Sequence, residues 1–183
     1  MTIPNLLTML RIILTPVLVW LLLNGRLNTA LAVFFIAGLT DALDGLFARV
    51  LQQKSRLGAY LDPFADKLLL VSSFVLLGQI GLIPCWLAAI AVGRDVIIVV
   101  GLMALIFQHV SVEIQPLLLS KLTTLFQLMS ILAALSSSLV PLPAWCYEML
   151  FATTALFSIG SGVQYVRKGI SLYERHRLQH HCH

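Results

Sequence analysis

The sequence predicts an all-α integral membrane protein: a bundle of six transmembrane helices with a short N-terminal interfacial segment, forming one domain over residues 1–183. Three observations predict it. Of the 183 residues, 59% are hydrophobic and only 11% charged, against roughly 25% charged in a soluble domain. The mean hydropathy is +0.94. Apolar runs recur along the whole chain, and at about 20 residues per span the length accommodates roughly six of them with short loops.

The elements follow in order. Residues 1–7, with Pro4 and Asn5, are too short to span and are expected to lie along the interface. A first span runs from about Thr8 to Leu23, interrupted only by Arg11 and Pro16, and Asn24-Gly25-Arg26 is a turn signal. A second span covers about Asn28 to Val50, and its last third carries Asp41, Asp44 and Arg49. A basic loop with Lys54 and Arg56 follows. The third span, about Ala59 to Gln79, opens near Asp62-Pro63, where Pro is tolerated in a first helical turn. Gly81 and Pro84 break the chain. A fourth span, about Pro84 to Phe107, carries Arg94 and Asp95, and a polar loop surrounds His109 to Gln115. A fifth, about Pro116 to Val140, includes Lys121. Pro141 and Pro143 precede the sixth, about Ala144 to Val166, and residues 167–183 read as an unstructured basic cytoplasmic tail.

Loop charges set the orientation. Lys and Arg cluster between spans two and three and again in the tail, so the positive-inside rule puts both termini and the 50–58 loop in the cytoplasm. A multi-pass protein of a bacterial inner membrane is expected. The N-terminus lacks a basic region and a small-residue cleavage site, so no removed signal peptide is indicated. Cys85, Cys146 and Cys182 are scattered and no disulfide is expected. His176, His180, His181, Cys182 and His183 could ligate metal, but they lie in the tail without a second set of ligands.

The chemistry concentrates between Asp41 and Asp66. The chain has eight acidic residues, and four of them are Asp41, Asp44, Asp62 and Asp66. A carboxylate at a helix centre costs on the order of 2.5–3.5 kcal/mol on insertion scales, so four in apolar spans call for compensation. Spacings of three (Asp41, Asp44) and four (Asp62, Asp66) put each pair on one helix face. The basic turn between the spans folds the pairs toward each other. Four convergent carboxylates repel one another unless cations sit between them, which points to divalent metal. Gly45 and Ala48 share the face of Asp41 and Asp44. A stripe of small residues admits either close helix packing or the approach of a flat ligand.

Written as a pattern, the stretch is D-x2-D-G-x2-A-R-x8-G-x3-D-x3-D, filled by Asp41, Asp44, Gly45, Ala48, Arg49, Gly58, Asp62 and Asp66. It resembles the signature of the CDP-alcohol phosphotransferase family at every fixed position. The opening Ile3-Pro4-Asn5-Leu6-Leu7-Thr8 with Arg11, the Arg94-Asp95 pair, and Ser120-Lys121 with Thr123, Thr124 and Gln127 look like the phospholipid synthases of that family. The resemblance implies transfer of a phosphatidyl group from CDP-diacylglycerol to an alcohol, with release of CMP. It implies two Mg2+ or Mn2+ ions held by Asp41, Asp44, Asp62 and Asp66, with Asp66 also the general base. Gly45, Ala48, Arg49 and Gly58 would bind the CDP donor, joined by Asn5, Thr8 and Arg11. Arg94 and Lys121 would hold a phosphate of the acceptor, although Arg94 beside Asp95 also reads as a structural ion pair. Lys67 reads equally as a snorkelling residue. The resemblance further suggests a homodimer in the lipid bilayer and no nucleic-acid partner.

Within the resemblance two acceptors compete. Glycerol 3-phosphate would make a phosphatidylglycerophosphate synthase and is favoured on family frequency. Phosphatidylglycerol would make a cardiolipin synthase, which the Ser-Lys-x-x-Thr run around Lys121 resembles. An ion or proton transporter is the reading from another class. Transporter sites sit near the bilayer midplane between repeated halves, and no repeat is found here. A prenyltransferase would leave Gly45, Ala48 and Arg49 unexplained.

Overall fold

A computed structural model describes residues 3–51, 56–107 and 118–181 of the chain, with side chains described at residues 9–40, 65–101, 103 and 118–171. These residues form six helices: α1 (Ile3–Leu23), α2 (Leu27–Leu51), α3 (Arg56–Ile80), α4 (Cys85–Phe107), α5 (Leu118–Ser136) and α6 (Ala144–His181). The all-helical expectation holds among them. The polar loop around His109 to Gln115, and Lys54, lie outside the described residues.

Two turns of one kind join helices at one end of the bundle. After α1, the Arg26 amide donates to Leu21 O at 2.9 Å and the Gly25 amide to Leu22 O at 3.1 Å. After α3, the Leu82 amide donates to Leu77 O at 3.0 Å and the Gly81 amide to Gly78 O at 3.2 Å. This paired bonding ends a helix on a residue in the left-handed region, which a Cβ disfavours. Gly25 (φ 67°) and Gly81 (φ 82°) fill those positions. At the same end Ser138 Oγ donates to Asn28 Oδ1 at 2.8 Å, tying the α5–α6 turn to the start of α2. We call this end the turn end.

The apolar core fills the half of the bundle next to those turns. Leu18, Leu21 and Leu22 of α1 are buried with Ala30, Phe34 and Ala37 of α2 and with Phe74 and Leu77 of α3. Leu69 and Leu70 of α3, Ile83 of the α3–α4 turn, Leu87, Ala88 and Ala91 of α4, Ile131, Ala134 and Leu135 of α5, and Phe151 and Ala155 of α6 complete it. Helix α1 packs on α2 and α3, α4 on α3 and α6, and α5 on α2, α3 and α6.

The outer surface is apolar. Ile13, Phe35, Val100, Met149 and Leu156 are all more than half exposed, the inverse of a soluble surface. Two described segments are long and apolar enough to cross a membrane: Leu118–Ser136 (mean hydropathy 1.6) and Ala144–Ser171 (mean hydropathy 1.3). Met9–Leu23 and Leu27–Thr40 are shorter apolar stretches. Trp20, Trp86 and Trp145 are exposed by 55%, 52% and 63%. All three lie within four residues of the turn end of their helices, and the Arg26 guanidinium sits 5.7 Å over the Trp20 ring.

Four boundaries differ by three or more residues from the sequence expectation, one of them the start of α3, at Arg56 and not at Ala59. Residues 3–7 run on into α1 and form no separate segment; Pro4 stands in the first turn, where its missing amide breaks no helical bond. The fifth helix stops at Ser136, short of the expected Val140. The tail is helical through His181, so α6 has 38 residues. Its last stretch, residues 167–181, holds no Pro, and its three Arg and two Leu are good helix formers.

Close packing of α3 on α4 rests on Gly78, where an added Cβ would meet Ala88 Cβ at 3.3 Å, whereas one on Gly101 would meet nothing within 4 Å. Gly78→Leu is therefore expected to lower stability by about 1–3 kcal/mol through overpacking, with Gly101→Leu near neutral. Thermal unfolding of both variants in detergent checks the contrast.

Candidate active site

The signature aspartates occupy matched levels of two antiparallel helices. Asp41 lies ten residues before the end of α2 at Leu51, and Asp66 lies ten residues after the start of α3 at Arg56. Asp44 and Asp62 lie seven and six residues from the same ends. At about 1.5 Å per residue, all four backbone positions fall within about 6 Å along the bundle axis. Arg11, eight residues into α1, is at nearly the same depth, on the helix that packs against both α2 and α3. Arg11 is fully buried, and Asp66 is half-buried. The side chains of Asn5, Thr8, Asp41, Asp44, Gly45, Ala48, Arg49, Gly58 and Asp62 lie outside the described residues, although all nine positions are helical.

Next to Asp66 begins a network that joins four helices. Lys67 Nζ of α3 donates to Asp95 Oδ1 of α4 at 2.5 Å. The same oxygen accepts from Arg94 Nη1 at 2.6 Å. Arg94 Nη2 donates to Ser120 Oγ of α5 at 2.7 Å and to Ser161 Oγ of α6 at 3.0 Å. Arg94 and Asp95 are both buried. The pairing of Arg94 with Asp95, open in the sequence, is thus formed. Lys121, one residue beyond Ser120, is exposed.

From Arg94 a polar seam continues between α5 and α6. Thr123 Oγ1 donates to Phe157 O at 3.0 Å, and the Ser130 and Thr154 hydroxyls share a hydrogen bond of 2.8 Å. Gln127 and Ser158 are buried in the same seam. Arg94 Nε, Gln127 Oε1 and Ser158 Oγ are buried without a hydrogen-bond partner among the described residues. Sequence reasoning missed Thr154, Ser158 and Ser161. Their spacing of four and three, repeated on α5 by Thr123, Gln127 and Ser130, is the signal that marks two facing polar stripes.

No cluster of three or more metal-capable side chains occurs among the described residues. The donor chemistry of the signature nonetheless suits a hard cation: four carboxylates at matched levels offer only oxygen ligands, as Mg2+ and Mn2+ prefer.

The chain was compared with known proteins. A family model described as CDP-alcohol phosphatidyltransferase matches residues 1–160, which includes the whole aspartate signature. A cardiolipin synthase (CMP-forming) from Rattus norvegicus is 35% identical over 92% of this chain and 61% of its own length. Its Homo sapiens counterpart is 34% identical over 92% of this chain and 62% of its own length. A CDP-diacylglycerol–glycerol-3-phosphate 3-phosphatidyltransferase from Aquifex aeolicus is 35% identical over 73% of this chain and 75% of its own length. The chain therefore spans about three fifths of the length of the rat and human relatives.

Breaking a buried ion pair by removing one partner costs about 3–5 kcal/mol. Arg94→Met is expected to destabilise by up to that scale, because Ser120 and Ser161 lose their donor and Asp95 keeps only Lys67. Lys121→Met, at an exposed position, should leave stability within about 0.5 kcal/mol. Chemical or thermal unfolding in detergent would read both.

Proposed function

The chain belongs to the CDP-alcohol phosphatidyltransferase family, and from that premise we propose that it transfers the phosphatidyl group of CDP-diacylglycerol to an alcohol at the Asp41–Asp66 site. The observation that carries this reading is the eight-residue signature inside the matched region. Family membership argues against the transporter and prenyl-transfer readings.

In this reading Asp41, Asp44, Asp62 and Asp66 hold two Mg2+ or Mn2+ ions. When bound, the ions supply charge neutralisation for the donor diphosphate and for charge developing on the phosphorus and departing phosphate. Asp66 accepts the proton of the acceptor hydroxyl. That oxygen attacks the phosphatidyl phosphorus, the bond to the bridging oxygen of the diphosphate breaks, and CMP leaves with the electron pair. Gly45, Ala48 and Gly58 let the flat nucleotide approach the helices, and Arg49 contacts phosphate. Arg11, a buried cation at the level of the aspartates, binds on the donor side with Asn5 and Thr8. Arg94 and Lys121 hold the acceptor phosphate.

For the acceptor we favour phosphatidylglycerol, which would make the product cardiolipin. The rat and human relatives that match over 92% of the chain are cardiolipin synthases, and the Ser-Lys-x-x-Thr run at Ser120–Thr124 points the same way. Glycerol 3-phosphate is the second reading, supported by the Aquifex relative and by the sequence expectation.

The bilayer setting follows from the apolar exterior and from the tryptophans gathered at the turn end, since Trp concentrates at membrane–water interfaces. We assign six spans, the turn end outward and the aspartate end cytoplasmic, in a bacterial inner membrane and as a homodimer. At about 1.5 Å per residue, α6 is about 57 Å long and exceeds the roughly 30 Å hydrocarbon core, so its basic end extends into the cytoplasm.

Two measurements test the proposal. Purified protein with Mg2+ or Mn2+ should release CMP from CDP-diacylglycerol with phosphatidylglycerol. Asp66→Asn should lower turnover at least about 100-fold, at the lower end of what a general base contributes, while largely sparing donor binding; Asp41→Asn should lose metal-dependent donor binding too. Retention of most activity by both variants would refute the site, and release with glycerol 3-phosphate alone would reassign the acceptor. Topology is read by thiol labelling: an impermeant maleimide on intact spheroplasts should label Cys85, near the turn end, and reach Cys182 only after permeabilisation.

A further inference from the structure

Lys67 has no role in the reaction proposed above, yet its tip meets Asp95, a buried acid that Arg94 also holds. Its ammonium reaches Asp95, whose side chain is 6% exposed, while Lys67 itself remains 29% exposed. A snorkelling lysine would carry its charge out to water; this one carries it inward. Neutralising Asp95 does not require it, because Arg94 Nη1 already lies 2.6 Å from the same Oδ1. Arg94 is fixed in turn by Ser120 and Ser161, so Asp95 cannot swing away without giving up its bond to an anchored guanidinium. The second cation therefore adds a constraint on α3 more than it adds charge balance.

The constraint acts on rotation. Successive residues project about 100° apart around a helix axis, so pinning Lys67 against α4 also sets where Asp66 points. With side chains about 5–6 Å from the axis, a turn of α3 by about 20° would carry the Asp66 carboxylate roughly 2 Å. Misplacement of a reacting group by about 1 Å can lower rate by about 100-fold. We propose that Lys67, held by Asp95, is a positioning residue that fixes the rotational setting of α3 and with it the direction of Asp66. This rests on Asp66 being the general base, and the test separates the two.

Lys67→Met, Lys67→Gln and Lys67→Arg would be purified beside Asp66→Asn and assayed for kcat, for KM of donor and acceptor, and for thermal unfolding. The expected result is a kcat lowered about 10- to 100-fold in Lys67→Met and Lys67→Gln. Both KM values should stay within about twofold and the unfolding midpoints close to that of the parent protein, with most of the kcat restored in Lys67→Arg. A folded Lys67→Met with normal kcat would overturn the proposal. So would a loss confined to KM, which would make Lys67 a substrate contact, or failure of both neutral variants to fold, which would make the pair structural. If Asp66→Asn retains turnover, it is the assignment of Asp66 that fails. If Asp66→Asn is inactive and Lys67→Met is normal, only the positioning inference fails.

Discussion

A carboxylate buried among apolar helices is stable only where cations meet it, and Asp95 sets that condition for the half of this bundle away from the turn end. It is satisfied from two helices at once, by Arg94 beside it on α4 and by Lys67 from α3. The Arg94 guanidinium then carries the constraint onward to Ser120 on α5 and Ser161 on α6. Removing Arg94 would take the donor from Ser120 and from the buried Ser161, which is why such networks rigidify when complete. Four helices are thereby held at one level, a single residue away from Asp66.

The two halves of the bundle divide the work. Near the turn end the core is packed with Leu, Phe, Ile and Ala from all six helices, and two glycine-capped turns fix how α1 and α3 end. A rigid base of that kind lets the other half carry groups that would not pack by themselves. Arg11, Arg94 and Asp95 are buried there, and the α5–α6 polar seam runs from Arg94 back into the apolar half at Ser130 and Thr154. The matched positions of Asp41 with Asp66, and of Asp44 with Asp62, are counted from the turn end: Asp41 and Asp44 lie 14 and 17 residues after Leu27, and Asp66 and Asp62 lie 14 and 18 before Ile80. Sites carried on packed helices hold their geometry better than sites on loops.

Much of this was legible because the strongest signals were local. Hydropathy and the turn residues marked six helices, and seven of the twelve helix ends fall within one residue of where the sequence placed them: the ends of α1 at Leu23, α2 at Leu51, α3 at Ile80 and α4 at Phe107, and the starts of α2, α4 and α6. The aspartate spacing needed only helical periodicity. What escaped was non-local. That Lys67 meets Asp95, 28 residues away, depends on how α3 and α4 cross, which no spacing rule encodes. Ser161 is an ordinary small residue until Arg94 arrives from 67 positions away. The helical tail escaped for another reason: its charges signalled solvent, and solvent exposure was equated with disorder, although a helix already nucleated by packed residues extends at little cost.

The hydrogen bonds of Arg94 also narrow how an acceptor phosphate would be held. A guanidinium offers five N–H donors. One is given to Asp95 and two to Ser120 and Ser161, which leaves the Nε–H and one Nη1–H. Nε is fully buried, so a phosphate that met Arg94 would have to enter the bundle to reach it. Lys121 is placed differently: it is exposed, flexible and next in sequence to Ser120, which anchors Arg94. A phosphate bridging the two would be gripped on its inner side by a fixed planar fork and on its outer side by a mobile point charge. That asymmetry suits an acceptor that must enter, react and leave as a larger lipid, because the outer contact can release while the inner one keeps its shape.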